Sequence, residues 1–548
     1  MASSVAQRAP QQRIDYSTTL DPRTKTLILA AALLCLFLSS LDQTIVSTAL
    51  PRIVSDLQGL DLLAWTSTAY LLASTAMVPI YGKLSDIYGR KPILLFGIGV
   101  FLIGSVLCGL SGSMLQLVIY RGIQGFGAAA LTSTAFAIPA DIYAPAERAR
   151  YQGIFGAVFG LSSVIGPFLG GLLTDNLSWH WVFFVNLPVG LVAIGFIIAK
   201  MPRLDSGVRS PIDYLGSATL LLTVVPLLLG LTLDKTIYAW GSPLVLGLLA
   251  TSVVGLILFI MVERRAASPI IPFTLFRNPT YSLGVLISAA VGATLFSAIF
   301  FLSLYMVNVL GTSATEAGTT LIPLTLSLVF GSIISSTIVQ RLGRYKAAIV
   351  SGLVIMVVAT WWMTTLQIDT NVWMVRLRMV VLGLGLGPAL PLLNLAVQNA
   401  VPFEYLGSAT ASRQFFLQLG QVVGSAIFGV ILTATLTSSI ATNMAPVQAK
   451  LPPEIAAQLD ASRLRNGVSG APEAGGESLS VGDRVAPIVG PELAAEIDLG
   501  LKRAFTTSIT QIYVYALPLV IVALIMGLLL PELPLRKTNL PSPAVAME

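Results

Sequence analysis

Residues 41–51 read LDQTIVSTALP and place one carboxylate, Asp42, inside an apolar run that begins near Thr26. At about 1.5 Å of rise per helical residue, Asp42 lies roughly 24 Å along a helix that has about 30 Å of hydrocarbon to cross. An ionised carboxylate at that depth is unstable unless it is paired, protonated or beside water. Asp42 is therefore a candidate proton carrier inside a membrane.

The composition is that of a polytopic membrane protein. Of the 548 residues, 55% are hydrophobic and 11% charged, and the mean hydropathy is +0.83, whereas soluble domains carry about 25% charged residues. A net charge of +6 gives no reason to expect a nucleic acid partner until the charges are placed along the chain. Cys35 and Cys108 fall in apolar runs, so neither a disulfide framework nor a metal site is indicated.

Apolar runs long enough to cross a bilayer occur fourteen times in the chain, which predicts an all-α membrane protein. They cover residues 26–48, 63–81, 92–111, 115–139, 151–173, 181–200, 212–233, 243–262, 281–309, 316–339, 347–366, 372–396, 407–436 and 507–530. Below, these predicted helices are called spans 1 to 14.

Positive charge is unevenly distributed over the loops. If the N-terminus is cytoplasmic, twenty Lys and Arg residues fall in cytoplasmic segments and only Arg52 and Lys235 in short outer loops. Cytoplasmic loops carry an excess of Lys and Arg, so both termini are predicted to be cytoplasmic, in a plasma or inner cell membrane. Residues 1–24 lack a short apolar core before a cleavage site and are expected to be a cytoplasmic tail.

Internal repetition indicates two related six-helix bundles. Span 2 ends in GKLSDIYGRK (82–91) and span 10 in RLGRYK (341–346); span 4 carries RGIQGFG (121–127) and span 12 carries RMVVLGLGLG (378–387). The offset is eight spans each time, a pairing typical of transporters. The predicted domains are an N-terminal bundle (25–203), a two-helix insert (204–266), a C-terminal bundle (267–536) and a cytoplasmic tail (537–548).

Several motifs, in the correct order, resemble the major facilitator superfamily. GKLSDIYGRKP at 82–92, RGIQGFGAA at 121–129 and GLSSVIGPFLGG at 160–171 are similar to its loop 2–3, helix 4 and helix 5 motifs. LDQTIVSTALP at 41–51, WHWVFFVNLPVG at 179–190 and the fourteen spans resemble its fourteen-helix drug/proton antiporter family. The resemblance implies the major facilitator fold and a multidrug efflux transporter rather than an enzyme.

The segment 82–91 carries charges at helical spacing. Asp86 and Arg90 are four residues apart and can pair if the turn is helical. The resemblance implies that this segment latches the two bundles together, with Asp86 near a helix N-terminus of the opposite half. The latch residues are Gly82, Asp86, Gly89, Arg90 and Lys91. A solvated positive cluster is the alternative.

Span 5 has a glycine-rich face around a proline. Small residues in membrane helices usually allow close packing, and a proline bends the helix. The ordered residues Gly166, Pro167, Gly170 and Gly171 match the superfamily's antiporter motif. The resemblance therefore implies export rather than uptake.

Arg121 lies roughly 9 Å inside span 4, at a depth comparable to that of Asp42 below the outer face. The two side chains are therefore expected to meet. Protonation of Asp42 would release Arg121 and shift the balance of outward and inward states, and the resemblance assigns proton-relay roles to both residues. A static structural ion pair is the alternative.

Two arginines of the second bundle are further candidates for coupling or cavity roles. Arg378 lies at the level of Arg121 and is its predicted counterpart. Arg413 lies about 10 Å from the inner face if its helix starts near Leu406. For Arg413, extension of the side chain to cytoplasmic water is the alternative.

The cavity is expected to be lined by spans 1, 2, 4 and 5 and their counterparts 9, 10, 12 and 13. Aromatic walls with a few amides suit bulky amphipathic molecules, although each such residue is equally compatible with helix packing. The candidates are Tyr70, Gln124, Phe301, Tyr305, Asn394, Gln414 and Gln418.

The function predicted is proton-coupled export of amphipathic compounds, cations among them, by a monomer without a cofactor. The chain has no GxxxxGK[ST] loop for ATP, and its single histidine comes without a nucleophile and base set. Export of an envelope lipid or glycolipid on the same fold is the alternative. That alternative rests on the outer segment 437–506, which is either a solvated loop or a contact for an envelope partner.

Overall fold

The computed structural model describes residues 16–59, 62–202, 204, 211–235, 237–312, 321–448 and 490–536. Within these ranges the chain forms long α-helices joined by short loops and turns. The helices up to residue 200 are α1 (Tyr16–Thr19), α2 (Pro22–Leu57), α3 (Leu63–Tyr88), α4 (Arg90–Gly109), α5 (Met114–Ile142), α6 (Pro145–Asn176), α7 (Trp181–Phe184) and α8 (Asn186–Lys200).

The remaining helices include two that follow residue 211 and six that follow residue 278. The first pair is α9 (Tyr214–Thr232) and α10 (Pro243–Glu263), and the later helices are α11 (Pro279–Asn308), α12 (Ile322–Leu342), α13 (Lys346–Met363), α14 (Val372–Ala400), α15 (Leu406–Gln448) and α16 (Pro491–Leu529). A 3₁₀ turn at Phe273–Arg277 precedes α11.

In the described part of the chain, 12 helices are long and apolar enough to cross a membrane, with α7 and α8 taken together. The helices α3, of 26 residues, and α5, of 29 residues, are also long but fall outside this set. Both carry charged and small polar residues within their length. The predicted count of fourteen is therefore not confirmed by length and composition.

Helix ends differ from the predicted spans because several helices extend beyond the apolar runs. Span 1 is part of α2, whose N-terminus is capped by Asp21: its Oδ2 accepts a 3.0 Å hydrogen bond from the backbone N–H of Thr24, as is usual at helix starts. The described parts of the predicted outer segment 437–506 continue α15 to Gln448 and begin α16 at Pro491, so these parts belong to long helices and not to a loop. Residues 449–489 lie outside the described residues.

Corresponding helices before residue 201 and after residue 278 pack through corresponding glycines. Gly127 of α5 packs against the backbone of Phe101 in α4, and Gly385 of α14 packs against the backbone of Met356 in α13. Glycines of α6 meet α2 in the same way as glycines of α15 meet α11. Such close approach needs the absence of a Cβ atom, so the repetition in sequence corresponds to repetition in packing.

The helices α9 and α10 pack against each other. The Ser252 hydroxyl of α10 donates a 2.8 Å hydrogen bond to the backbone oxygen of Thr223 in α9. On its other side, α9 contacts α3 and α15. This pair of helices therefore covers the seam between one helix of the N-terminal half (residues 22–200) and one of the C-terminal half (residues 279–529).

The two halves contact each other at the end of the molecule predicted to be cytoplasmic. Gly82 of α3 lies so close to Ala411 of α15 that a Cβ atom at Gly82 would overlap the Ala411 side chain. Nearby, Gln398 of α14 donates from Nε2 to the backbone oxygen of Phe136 in α5, at 3.2 Å. These contacts close the molecule at that end.

Candidate functional site

Asp42 lies at the centre of a buried polar cluster in the N-terminal half. Its side chain is fully buried, and Oδ2 forms an ion pair with Nη1 of Arg121. Its Oδ1 accepts hydrogen bonds from Gln124 Nε2, at 2.7 Å, and from Asn186 Nδ2, at 2.9 Å. Four helices, α2, α4, α5 and α8, supply this cluster, since Ser105 of α4 accepts from both amides.

Arg121 is held on the other side by neutral groups. Its Nε donates to the backbone oxygen of Thr66, at 3.2 Å, and Nη1 donates to Gln124 Oε1, at 2.7 Å. The guanidinium lies 4.3 Å from the centre of the Tyr70 ring, a cation–π contact. Arg121 thus has neutral partners in addition to Asp42, and these contact the side of the guanidinium that the carboxylate does not.

Asn186 and Ser105 were missed by the sequence reasoning. Asn186 is the first residue of α8 and lies within the quoted motif 179–190. The signal available in the sequence was a single amide among the apolar residues 181–200, because a polar side chain in that environment requires a partner. Ser105 gave no comparable signal, since serines are common in packed membrane helices.

A cavity of about 1020 Å³ lies between the two halves. Its lining follows α15 from Arg413 to Thr433, a length of about 30 Å. Gln43 and Ser47 of α2 line it as well and are exposed. On the predicted topology the cavity is closed at the cytoplasmic end and reaches the outer side, which is an outward-facing arrangement.

Only some of the predicted cavity residues line this cavity. Phe301, Asn394, Gln414 and Gln418 do. Tyr70 and Gln124 do not, because they are buried against Arg121 and Asp42.

Tyr305 also lies outside the cavity lining. Its ring is buried and its hydroxyl donates a 2.5 Å hydrogen bond to the backbone oxygen of Gln367. This tyrosine therefore ties the outer end of α11 to the loop before α14, as a packing residue does.

The two arginines of the C-terminal half differ in position. Arg378 is buried near the outer end of α14, where Nη2 donates to the backbone oxygen of Thr365, at 3.4 Å, and the guanidinium lies 5.5 Å from the Trp362 ring centre. Within the part of the chain that the structure describes, no acid pairs with Arg378 or Arg413. Arg413 is 2% exposed and lines the cavity, so it does not extend to cytoplasmic water.

Asp86 joins the two halves at the predicted cytoplasmic end. Its Oδ1 and Oδ2 accept hydrogen bonds from the backbone N–H groups of Gly407, at 3.2 Å, and Ser408, at 2.8 Å. Both residues lie in the first turn of α15, where the helix dipole favours an anion. Asp86 also pairs with Arg90, at 2.7 Å, and Arg90 pairs with Asp141, at 2.7 Å.

The other residues of this segment shape its turn. Gly89, with φ of 87°, occupies the left-handed region that favours glycine and separates α3 from α4. Lys91 Nζ donates to the backbone oxygens of Ile198, at 3.0 Å, and Met201, at 2.7 Å. It therefore satisfies carbonyls at the end of α8.

The glycine motif of α6 faces α2. A Cβ atom at Gly166 or Gly170 would overlap Thr44 or Thr48 side chains, whereas one at Gly171 would meet nothing within 4 Å. Pro167 lies inside α6 between these positions. The motif therefore seats α6 on the helix that carries Asp42, with Gly171 outside that contact.

The chain matches known transporters over most of its length. The Major Facilitator Superfamily model matches residues 32–425. Multidrug transporter protein MdtP of Bacillus subtilis (strain 168) is 36% identical over 515 residues, 94% of this chain and 94% of that protein. Multidrug resistance protein 3 of the same organism is 37% identical over 428 residues, 78% of this chain and 83% of that protein.

Solved structures give the same fold. The crystal structure of the human organic anion transporter MFSD10 (TETRAN) superposes with a TM-score of 0.58 at 15% identity, covering 91% of this chain and 100% of that one. At such low identity the likeness concerns the fold alone. Together with the family match, it identifies this chain as a member of the major facilitator superfamily, a multi-pass membrane transporter and not an enzyme.

Proposed function

We propose that this transporter is a proton-coupled antiporter that exports amphipathic compounds by alternating access. The observation that carries the proposal is the fully buried pair of Asp42 and Arg121, bonded to the amides of Gln124 and Asn186. An ionisable pair inside a membrane helix bundle is expensive to maintain and is usually functional. The names of the multidrug relatives support the class of cargo.

Coupling runs through α2, since this helix carries both the proton site and part of the cavity wall. Asp42 faces the polar cluster, and its neighbour Gln43 and Ser47, one turn further on, line the cavity. When Asp42 accepts a proton, its attraction to Arg121 weakens and α2 is released from α5. The cavity wall formed by α2 then moves with the protonation state of Asp42, which couples proton binding to cargo binding.

The cytoplasmic latch completes the cycle. In the outward-facing arrangement Asp86 caps the start of α15, and Arg90 holds Asp86 and Asp141 together. Opening toward the cytoplasm requires the two hydrogen bonds from Gly407 and Ser408 to Asp86 to break, since these join the halves. The proton gradient supplies the driving force, since each charge moved inward yields about 2.3 kcal/mol per 100 mV.

We further propose fourteen spans, with both termini cytoplasmic, in the cell membrane. The 12 apolar helices and the long helices α3 and α5 together make fourteen. Of the two less apolar helices, α3 carries Asp86 and α5 carries Arg121, and both contact α15 of the other half, so their polarity is explained by burial among other helices. The distribution of Lys and Arg supports the orientation.

Proteoliposomes with an acidic lumen test the function. We expect ethidium or fluorescein to accumulate against its gradient when the external buffer is made alkaline, and a protonophore to abolish this uptake. Asp42→Asn should abolish it too, whereas Asp56→Asn, the same substitution near the end of the same helix, should leave it intact. Uptake of both dyes that is unaffected by the protonophore and by Asp42→Asn would contradict the proposal.

A further inference from the structure

Arg413 is the one charged side chain in the cavity lining within the described residues. It lies on α15, seven residues after this helix begins. This position is on the C-terminal side of the seam between the halves, near the cytoplasmic end of the cavity. The side chain is 2% exposed. A guanidinium this deep is costly unless its charge is compensated.

The partners of Arg413 are neutral. Its Nε donates to Asn394 Oδ1, at 3.1 Å, its Nη2 to Gln414 Oε1, at 3.2 Å, and its Nη1 to Ser288 Oγ, at 3.4 Å. The buried arginines Arg90 and Arg121, by contrast, each have a carboxylate within ion-pair distance. The charge of Arg413 is therefore solvated by dipoles and has no counter-ion among the described residues.

A second donor faces the same cavity from the N-terminal half. Asn394 Nδ2 donates to Gln152 Oε1, at 3.5 Å, which turns the amide so that Gln152 Nε2 is buried without a hydrogen-bond partner. Gln152, on α6, is 1% exposed and lines the cavity with Arg413 and Asn394. A buried donor without a partner is destabilising, and an acceptor on a bound molecule would satisfy it.

The rest of the cavity wall is suited to contact with the aromatic ring system of a bound molecule. Six phenylalanines from both halves line the cavity: Phe136, Phe155, Phe159, Phe296, Phe300 and Phe301. Aromatic rings in such a wall contact a flat apolar molecule on its faces and edges. The described lining has no Asp or Glu to pair with a cation.

We propose that Arg413 and Gln152 form a subsite for an anionic group, and that the preferred cargo is an amphipathic aromatic acid rather than a cation. This inference rests on the proposed export function and specifies its cargo. The guanidinium binds a carboxylate or ionised phenol through charge-assisted hydrogen bonds, Gln152 Nε2 donates a further one, and the phenylalanines contact the ring system. Because Gln152 and Arg413 belong to different halves, the anion bridges the seam that opens and closes.

Binding to the purified full-length protein tests the subsite without any proton gradient. Fluorescein and tetramethylrhodamine methyl ester share a xanthene core but carry opposite charges. In nanodiscs of phosphatidylcholine, fluorescence anisotropy should show saturable fluorescein binding that weakens about tenfold or more in Arg413→Gln, as expected when a charged hydrogen bond is lost. Arg413→Lys should recover part of the affinity, and Gln152→Ala should weaken it less than Arg413→Gln.

Arg376→Gln is the matched control, since Arg376 lies outside the cavity lining, stacked on Trp373 at 4.6 Å. Rhodamine ester binding should be weak and should not fall in Arg413→Gln. The proposal is overturned if fluorescein does not bind saturably, if Arg413→Gln and wild type bind it with affinities within about twofold of each other, or if the cationic dye binds more tightly.

Adding phosphatidylglycerol to the nanodiscs identifies the source of the anion. Displacement of fluorescein assigns the subsite to lipid headgroups, and no displacement assigns it to soluble acids.

The outcomes separate this inference from the proposed function. Fluorescein binding that depends on Arg413, combined with transport that ignores protons, removes the antiport and keeps the subsite. Proton-driven transport of ethidium, with fluorescein binding unchanged in Arg413→Gln, keeps the antiport and removes the subsite.

Discussion

The carboxylate of Asp86 at the end of α3 accepts a 2.8 Å hydrogen bond from the backbone N–H of Ser408 at the start of α15. One half of the transporter thus caps a helix of the other half. Negative charge at a helix N-terminus is stabilising, and here that stabilisation exists only while the halves are in contact at this end. On the proposed topology, the outward-facing state is therefore favoured by an interaction that the inward-facing state lacks.

Asp86→Asn should shift the population toward the inward-facing state. Hydrogen bonds to a charged group contribute about 1.5–3 kcal/mol, so we expect a change of about tenfold or more in the ratio of states. Spin labels at the exposed residues Tyr88 and Leu342, one in each half, should report a longer distance. The native Cys35 and Cys108 are fully buried and should not take the label. The control is Glu147→Gln, which changes an exposed carboxylate in the first turn of α6. Equal distance distributions in wild type and Asp86→Asn would count against the latch.

Gly170→Ala and Gly171→Ala form a matched pair on α6. A Cβ atom at Gly170 would lie 2.6 Å from the backbone oxygen of Ile45, whereas one at Gly171 would meet nothing within 4 Å. Overpacking costs about 1–3 kcal/mol, so Gly170→Ala should lower the melting temperature in detergent and impair transport. Gly171→Ala should match wild type or be slightly more stable, since alanine favours helix over glycine by about 1 kcal/mol. Equal loss in both variants would show that the α2 contact is not the cause.

Asn186→Leu should lower the melting temperature in detergent and impair proton-driven transport. Asn186 donates to Asp42 Oδ1, at 2.9 Å, and to Ser105 Oγ, at 2.9 Å. Leucine removes a hydrogen bond to a buried charged group, which costs about 1.5–3 kcal/mol. The check is thermal unfolding and dye uptake measured side by side, with Asn176→Leu at the end of α6 as control. Wild-type values of both in Asn186→Leu would mean that this amide does not support Asp42.

The ion pair was predictable from sequence because charged residues in apolar runs are rare and their depth follows from helix rise. Asp42 and Arg121 were expected to meet, and they do. The other two residues of this cluster, Asn186 and Ser105, were not found, since the depth of a residue in the membrane says nothing about the direction in which its side chain points.

The same limit explains the errors in the cavity. Tyr70, Gln124 and Tyr305 were placed in the wall on the basis of their helices, but the rotation of a helix about its axis is set by packing, which a hydrophobic helix does not reveal through its pattern. The repeated glycine motifs do correspond to repeated contacts between helices, because a glycine contact constrains both the position and the facing of a helix. Some helix ends were misplaced: α16 begins at Pro491, whereas the predicted span begins at residue 507. An apolar run shows where a helix can cross the membrane but not how far the helix continues beyond it.

The most direct test of the coupling is proton movement driven by cargo alone. Proteoliposomes containing the pH dye pyranine, with equal pH on both sides, are given an inward gradient of the transported dye. Wild type and Asp56→Asn should make the lumen alkaline as protons leave in exchange, while Asp42→Asn should equilibrate the dye without any change in lumenal pH. An Asp42→Asn protein that alkalinises the lumen as fast as wild type would contradict the assignment of Asp42 as the proton carrier.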